Sequence, residues 1–425
     1  MANPVSRVLF ASLIGTAIEF FDFYIFANAA VLVFPKLFFP GSDPAVAMMQ
    51  SFATFSIAFF ARPVGSALFG HFGDRIGRKA TLVTALLTMG ISTLVIGLLP
   101  TYAEIGSLAP IMLALCRFGQ GLGLGGEWGG AVLLATEYAP PGKRAWYGMF
   151  PQLGAPLGLF LSGVSFLLLS RLLTEDQFLG FGWRIPFLAS AILVVMGLYV
   201  RLKIDETPAF QKALENNKRV RFPIMVVFRR HARAMLLGVS MTIGGFVLFY
   251  LITVFALGWA TTALKVSLSD FVVVQLFSMV FFAAAIPLSA ALVDRYGGRV
   301  VLLFVAVSTI VFGWLFTPMF GSGDLVQIAL FLTLGMTVLG MNYGPIGAVL
   351  SGLFPTEVRY TGSSLTYNLG GILGASLAPY IATWLARNYG LASVGCYLSS
   401  AGLLSLLALL ISGRKYMDHA AAANG

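Results

Sequence analysis

Charged residues are scarce in this 425-residue chain, since Asp, Glu, Lys and Arg make up 10% of it against 58% hydrophobic residues. A soluble protein of this length needs more charged surface, so lipid is the expected solvent. Cysteine is nearly absent: Cys116 and Cys396 are too few for a disulfide framework. The three histidines share no ligand spacing. The sequence therefore predicts no metal site.

Signatures of catalysis and of other cofactors are also missing. The stretch GLGLGG at 121–126 fits the pattern G-x-G-x-x-G, but it lies inside an apolar run with no preceding strand. A dinucleotide site is therefore not expected. No set of nucleophile, base and orienting residues can be assembled, which argues against an enzyme. The sequence thus predicts a protein without cofactors and without catalytic residues.

Long apolar runs take the place of those signatures. Each run has roughly 20 residues or more, which is enough helix to cross a bilayer core of ~30 Å. The pattern predicts an all-α integral membrane protein with twelve transmembrane helices in two six-helix bundles. The predicted spans lie near 8–34, 50–72, 80–100, 107–136, 146–170, 184–202, 233–259, 270–293, 300–319, 325–352, 362–386 and 390–412.

The basic residues alternate between the two ends of these spans. If both termini lie on one side, 20 of the 27 Lys and Arg residues fall on that side. The positive-inside rule then predicts cytoplasmic termini in a bacterial-type inner membrane. Loops that meet anionic lipid account for the net charge of +10, so membrane lipid and not nucleic acid is the expected partner.

Two pairs of acidic markers recur at one offset. GHFGDRIGRK follows the second span and DRYGGR the eighth, and their aspartates, Asp74 and Asp294, are 220 residues apart. Glu137 and Glu357 are separated by the same 220 residues. Both pairs lie on the cytoplasmic side, so the repeat is parallel. We expect a monomer with a bundle over 1–202, a cytoplasmic linker over 203–231 and a second bundle over 232–425.

These motifs resemble those of a known family. GHFGDRIGRK is similar to the signature loop of the major facilitator superfamily, and RFGQGLGLGGEWGG to its fourth-helix motif. Within that superfamily, IEFFDFYIFA, FARPVGSALFGHFGD, FGWRIPF and LFPTEVRYTG together resemble the metabolite:proton symporters over nearly the whole chain. Members carry shikimate, oxoglutarate, citrate, or proline and betaine. The resemblance implies import of a small organic acid with protons by alternating access.

Two acids lie deep in the first span. Charged residues are costly in lipid, so each is a functional candidate. Glu19 and Asp22 lie twelve and fifteen residues beyond Arg7, which is about 18 to 22 Å into a ~30 Å core. Their spacing puts both on one helix face, where two carboxylates bind a proton more readily than one. Both are candidate proton carriers, and Glu19 could equally be a salt-bridged structural acid.

Arg117 opens the fourth-helix motif. The resemblance implies that the arginine at this position faces an acid of the first span, and we therefore expect it to pair with Asp22. An arginine keeps its charge at any accessible pH, so protonation of Asp22 would free the guanidinium for an anionic substrate. A permanent buried ion pair is the alternative.

Two further charges lie inside the first half. Arg62 precedes Pro63, whose missing N–H weakens the helix there. It is a candidate for substrate contact or for pairing with Glu19 or Glu127. Glu127 lies ten residues after Arg117, about 15 Å away along a helix. A structural role is favoured for it, and a place on the proton's exit path is the alternative.

Charged residues also cluster at the cytoplasmic ends of the spans. They are too far from the midplane to bind substrate. The resemblance implies a gate latch, in which acids pair with nearby arginines and separate when the inside opens. Positive charge that sets topology is the alternative for some of them. The gate candidates are Asp74, Arg75, Arg78, Glu137, Arg144, Asp294, Arg295, Glu357 and Arg359.

The second half has no charged residue deep inside its spans. Its polar side chains there are neutral, and we expect them to exchange hydrogen bonds with a substrate's hydroxyl or carbonyl groups. Each could instead serve only to join helices. The sequence thus predicts that the first half supplies the charged groups and that the second half determines substrate selectivity. The substrate-binding candidates, besides Arg62 and Arg117, are Tyr250, Gln275, Asn342, Tyr343, Tyr367 and Asn368.

Other transport functions stay open. A zwitterion such as betaine or proline is the nearest alternative, although two cationic centres suit a quaternary amine poorly. The tail after Lys415 also lacks the heptads that an osmosensing relative would carry. LGAPLG at 153–158 is similar to part of the fifth-helix motif of drug exporters, but the closing glycine pair is absent, so export is weakened. A channel would not need two cytoplasmic gate loops.

Overall fold

The computed structural model describes residues 5–41, 43–76, 78–202, 223–355 and 358–422, and within them all side chains except those of 5, 7, 8, 70–80, 137, 223 and 414–422. Every regular element in these ranges is helical. In the same ranges eleven helices are long and apolar enough to cross a membrane. A twelfth, the ninth along the chain, is shorter at 16 residues. The predicted all-α, twelve-span fold is therefore confirmed.

In chain order the spans are α1 (Val5–Leu32), α2 (Pro44–Ile76), α3 (Arg78–Leu98), α4 (Leu108–Gly125 and Trp128–Glu137), α5 (Arg144–Leu172), α6 (Arg184–Leu202), α7 (Ala232–Thr262), α8 (Leu268–Tyr296), α9 (Gly298–Gly313), α10 (Leu325–Gly352), α11 (Arg359–Tyr389) and α12 (Leu391–Ala422).

One packing pattern occurs twice along the chain. In the first six spans α2 packs on α4, α1 on α5 and α3 on α6, and in the last six α8 packs on α10, α7 on α11 and α9 on α12. Each pair of the second set lies six spans after its counterpart, as in a parallel repeat. The bundle boundaries at 202 and 232 stay a prediction. Of the predicted linker, 203–222 lies outside the described residues and Pro223–Arg230 forms a short helix.

The backbones of α2 and α4 touch. A Cβ atom at Gly121 or Gly125 would collide with the backbone of Ala58 or Arg62 on α2. Only glycine allows this approach. The GLGLGG pattern is therefore a helix-packing surface, and it places both Arg62 and Arg117 beside α1.

Four spans are interrupted where the two halves meet. α4 breaks at Gly126 and α5 at Leu153, α7 contains the π-helical segment Leu251–Phe255, and α11 contains a second one, Ile372–Ser376. Such segments are frequent at functional sites. α2, by contrast, continues through Pro63. The expected weak point there does not interrupt the helix, because a membrane helix tolerates a proline when neighbouring helices support it.

Aromatic rings fill the interface between the halves. Tyr24 of α1 stacks on Phe249 of α7 with ring centroids 5.7 Å apart, and Phe59 of α2 meets Tyr250 edge-on at 5.3 Å. Trp128 of α4 lies parallel to a tyrosine of α11 with centroids 3.7 Å apart. Each contact joins one half to the other, and one of these rings, Phe59, also lies against the guanidinium of Arg62.

Candidate functional site

Arg117 lies at the centre of the first half with no exposed surface. Its Nε donates to the Phe55 carbonyl at 3.2 Å, and Nη1 donates to Oε1 of Gln120 at 2.9 Å. The rings of Phe23, Phe26 and Phe55 have centroids 4.3, 4.1 and 4.6 Å from the guanidinium carbon. Nη2 has no hydrogen-bond partner. A buried guanidinium with an unused donor suits an anionic ligand.

Arg62 is the second buried cation. Its guanidinium carbon lies 4.7 Å from the ring centroid of Phe23 and 4.6 Å from that of Phe59. Phe23 therefore faces both arginines. The hydroxyl of Tyr250 lies within electrostatic range of both guanidinium groups. Over the described ranges neither arginine forms a salt bridge, so no carboxylate neutralises their two charges.

Asp22 is fully buried, and its Oδ1 accepts a hydrogen bond from the Ser190 hydroxyl of α6 at 2.5 Å. Thr93 of α3 lies beside the same carboxyl, and Oδ2 has no partner. The expected ion pair with Arg117 is wrong. Gln120, one turn after Arg117, accepts a hydrogen bond from Nη1 of that arginine, and its Nε2 donates to Thr93 Oγ1 at 2.8 Å. Thr93 and Gln120 thus lie between the acid and the arginine, and the Thr93 hydroxyl itself donates to the Met89 carbonyl at 3.0 Å.

Glu19 and Glu127 share a cation that the sequence did not single out. In the last turn of α6, Arg201 places Nη2 2.9 Å from Oε1 of Glu19 and in contact with Oε1 of Glu127. Its Nη1 donates to the Leu82 carbonyl at 2.9 Å. A Cβ at Gly15 would lie 3.1 Å from Nη2, so this glycine makes room for the guanidinium.

This cluster corrects one expectation and decides between two others. The count of basic residues by side places Arg201 among the cytoplasmic charges, and the sequence leaves Arg62 either to contact substrate or to pair with Glu19 or Glu127. The structure buries Arg201, because a long side chain points back toward the start of its helix and carries its charge into the membrane. The available signal was the position of Arg201 inside the helical run, before the charged segment begins.

Three predicted tyrosines of the second half reach the shared interface. Tyr343 of α10 and Tyr367 of α11 are joined by a hydrogen bond between hydroxyls 3.1 Å apart. Tyr250 of α7 meets Phe23 edge-on with centroids 6.5 Å apart. All three are buried. They supply neutral hydroxyl groups on the side of the interface opposite the arginines.

Three other predicted polar residues lie apart from that tyrosine group. Gln275 donates to the Thr253 carbonyl at 3.2 Å, in the π-helical segment of α7. Asn342 lines a small crevice against α7, α9 and α12. Adjacent residues of a helix point in different directions, and here the adjacent Tyr343 is the one that faces the interface. Asn368 donates to Ser66 Oγ at 2.7 Å and joins α11 to α2. Substrate contact stays a prediction for all three residues.

Contacts between the halves close the cytoplasmic end. Asp294 Oδ1 accepts the Ala145 N–H and Oδ2 the Trp146 N–H, each at 3.0 Å, in the first turn of α5. The Tyr360 hydroxyl donates to the Gly126 carbonyl at 2.6 Å. The predicted partner of Asp294 was an arginine. A helix N-terminus takes that place because its free N–H groups and positive dipole end bind a carboxylate.

The other gate candidates are only partly described. Nε of Arg359 donates to the Phe354 carbonyl at 3.1 Å, the guanidinium of Arg295 lies 5.2 Å from the Tyr296 ring centroid, and Arg144 is the first residue of α5. The remaining candidates lie outside the described residues or side chains: Asp74, Arg75, Arg78, Glu137 and Glu357.

The opposite end is closed as well. A Cβ on Gly258 of α7 would be in van der Waals contact with Phe52 and Val31 at 3.7 and 3.8 Å. Arg387, near the end of α11, lies 3.7 Å from the carboxylate of Asp43, which precedes α2. The buried arginines, Asp22 and the tyrosines are thus enclosed from both sides.

Enclosed charges between two packed sets of six membrane helices define the class of the protein, a secondary transporter. A model of the Major Facilitator Superfamily matches residues 12–379, and the chain belongs to this family. It is a transporter and not an enzyme. It is a multi-pass protein of the bacterial inner membrane.

Named relatives span several substrates. The chain is 54% identical over 415 residues to the inner membrane metabolite transport protein YhjE of Escherichia coli, covering 96% of this chain and 94% of that protein. Identity is 34% to the shikimate transporter of the same organism, covering 95% and 94%. It is 33% to the proline/betaine transporter of Salmonella typhimurium, covering 91% and 79%. The solved proton:xylose symporter XylE shares the fold, with a TM-score of 0.76 at 16% identity over 96% and 95%.

Proposed function

We propose that the chain is a proton-coupled symporter that imports a small organic acid, a mono- or dicarboxylate, by alternating access. The observation that carries this proposal is the pair Arg62 and Arg117, two enclosed cations without a carboxylate partner among the described residues. Nε of Arg62 and Nη2 of Arg117 are unused donors. Unpaired buried charge is costly, and an anionic substrate offsets it. The kinship with a shikimate transporter supports the same class of substrate.

The proton in this proposal binds Asp22. Its unpartnered Oδ2 can take a proton, which removes the negative charge from an interior that offers this carboxyl no cation. With that negative charge gone, the cation of Arg117, which Thr93 and Gln120 separate from the carboxyl, attracts an anion more strongly. One proton and a monocarboxylate then enter as a neutral pair, and a dicarboxylate dianion needs two protons for the same balance. Because such coupling is reciprocal, each binds more tightly when the other is present.

Tyr250, Tyr343 and Tyr367 supply the neutral hydrogen bonds in this proposal. Their hydroxyls lie in the same aromatic interface as the two arginines. A carboxylate held by an arginine leaves its hydroxyl or carbonyl groups to be recognised by such neutral donors and acceptors. Selectivity among organic acids is therefore assigned to the second half.

A zwitterion is the second candidate, and one observation favours it. The rings of Phe23, Tyr24, Phe249 and Tyr250 meet at centroid distances between 4.9 and 6.5 Å. Aromatic faces arranged in this way can bind a quaternary ammonium group. The relatives that carry proline and betaine fit this reading. The two buried arginines oppose it, because they repel the ammonium group.

A thermal-shift panel separates the two candidates. Purified protein is heated with shikimate, 2-oxoglutarate, citrate, proline or glycine betaine, since a ligand raises the unfolding temperature of the state that binds it. We expect stabilisation by at least one acid that lacks an amine, and loss of that shift in Arg117→Gln. Arg171→Gln, which removes an exposed cation at the end of α5, is the matched control. Stabilisation by glycine betaine alone would favour the zwitterion.

A further inference from the structure

Two carboxylates share one guanidinium inside the first half. Nη2 of Arg201 contacts both Glu19 and Glu127, and the three side chains are 9%, 5% and 3% exposed. With both acids ionised, the cluster carries one negative charge in excess where water is excluded. Uncompensated buried charge costs several kcal/mol. One proton shared between the carboxylates removes it.

The described side chains around this cluster, which exclude 70–80, do not supply the missing positive charge. Asp22, one turn further along α1, adds another acid. Arg62 of α2 turns its guanidinium to two phenylalanine rings instead. α3 presents the Leu82 carbonyl, and α5 presents Gly154 to α1. Of the described side chains, which exclude 70–80, only the shared arginine pairs with these acids.

The cluster is directly connected to the cytoplasmic closure. Glu127 lies in the break of α4, and the residues on either side of it contact α11. The Gly126 carbonyl accepts the Tyr360 hydroxyl at 2.6 Å, and Trp128 stacks on Tyr367 at 3.7 Å. Glu127 itself points the other way, to α6. Three consecutive residues therefore join the ionic cluster to the contacts that hold the halves together.

We propose that Glu19, Glu127 and Arg201 form a second proton-binding site, separate from Asp22, whose occupancy stabilises the closed cytoplasmic end. The proton neutralises the cluster and lets both carboxylates contact one nitrogen. Without it the closed, dry arrangement holds an excess charge, so opening and proton release favour each other. The proposal rests on the proton coupling proposed above for its use in transport. The proton itself can be measured in substrate-free protein.

Infrared spectroscopy detects the proton directly, because a protonated carboxyl has a carbonyl band distinct from those of a carboxylate. The full-length Asp22→Asn protein removes the signal of the first site. We expect a carboxyl band near neutral pH that disappears at alkaline pH. Either Glu127→Gln or Glu19→Gln, added to this protein, should remove the band. One glutamate then remains beside Arg201, and this pair is neutral with the glutamate ionised. A band that neither substitution changes, or no band at any pH, overturns the proposal.

Thiol labelling tests the connection to the gate. Ala145→Cys, in a chain whose Cys116 and Cys396 are replaced by alanine, places a thiol at a buried position beside Asp294. The labelling rate should increase with pH several-fold more in this parent than in the same chain with Glu127→Gln. The ratio of the two rates at each pH cancels the pH dependence of the thiol itself. A ratio that does not change with pH overturns the coupling while leaving Asp22 as the transport proton site.

Discussion

The two halves of the molecule share a packing pattern but not a chemistry. All the buried charged side chains in the described ranges belong to the first half, whereas the second half brings tyrosine hydroxyls and aromatic rings to the interface. A repeat can thus fix where helices lie and leave their sites free to diverge. In our account the first half responds to protons and anions, and the second chooses among substrates. The buried charges are Glu19, Asp22, Arg62, Arg117, Glu127 and Arg201.

The strongest way to break this comparison is to alter the central cation. Arg117→Lys keeps the charge but loses the planar guanidinium that binds a carboxylate with two hydrogen bonds. We expect weaker binding of the organic acid selected by the thermal-shift panel, by about 1.5 to 3 kcal/mol. Isothermal titration calorimetry measures it. Arg171→Lys, at an exposed position, serves as control, and unchanged affinity in Arg117→Lys would reduce that residue to a structural role.

The contact between the halves at Asp294 is the next test. Asp294→Asn removes a charge from two hydrogen bonds to a helix N-terminus, so the closed cytoplasmic end should lose about 1 to 3 kcal/mol relative to the open one. Labelling of Ala145→Cys should therefore become faster. Asp324→Asn is the matched control, because Asp324 accepts the Gln327 N–H at 3.0 Å at a helix start within one half. Equal rates in both variants would remove Asp294 from the gate.

The neutral side chains of the second half should contribute less to ligand affinity than the arginines do. Tyr343→Phe or Tyr367→Phe removes one hydroxyl, and we expect a loss of about 0.5 to 1.5 kcal/mol in ligand affinity. Asn342→Ala should leave affinity unchanged and affect only the unfolding temperature, since its side chain lines a separate crevice. Calorimetry on the three variants separates these outcomes. Weaker binding in Asn342→Ala alone would reverse the assignment.

Charge outside the membrane should matter least. Lys36 lies 2.6 Å from Glu175 at an exposed site of the first half, and hydrogen bonding to Lys36 lowers the pKa of Glu175 from its ordinary value of 4.5. Because the pKa of Glu175 is lower in the folded state, its ionised form stabilises the fold, fully so above pH 4.5. That stabilisation is lost as the pH falls through the folded-state pKa, below 4.5. Lys36→Ala should lower the unfolding temperature slightly at pH 7. At acid pH, parent and variant should converge.

A drop that persists at acid pH would mean that Lys36 acts by packing and not by charge. Any loss of transport in Lys36→Ala would break the comparison itself, because an exposed pair would then matter as the buried charges do.

The spans and the burial of Asp22 and Arg117 within them could be predicted, because both follow from hydropathy along the chain itself. The partners of those charges could not. Gln120 intervenes between Arg117 and Asp22 only because of where it lies on α4 relative to α3. Two residues can be at similar depth and still be separated by two neutral side chains.

Side-chain direction was the other information that the sequence did not contain. Asn342 and Tyr343 are adjacent and both polar. Only the tyrosine faces the first half, where it meets Phe20 of α1, whereas Asn342 lines a crevice within the second half. The rotation of α10, which packing sets, decides between them. Arg201 shows the same limit in depth, since its Cα lies in the last turn of α6 while its charge reaches Glu19.

The central claim, that Asp22 carries the transported proton, is tested most directly by Asp22→Asn in proteoliposomes. The labelled organic acid from the thermal-shift panel is offered in two ways: with an inward proton gradient, and with equal pools of acid on both sides. We predict that the variant loses uphill accumulation and keeps exchange between equal pools, because the anion site stays intact while the proton site is gone. Uphill accumulation by Asp22→Asn at the parent's level would contradict the account.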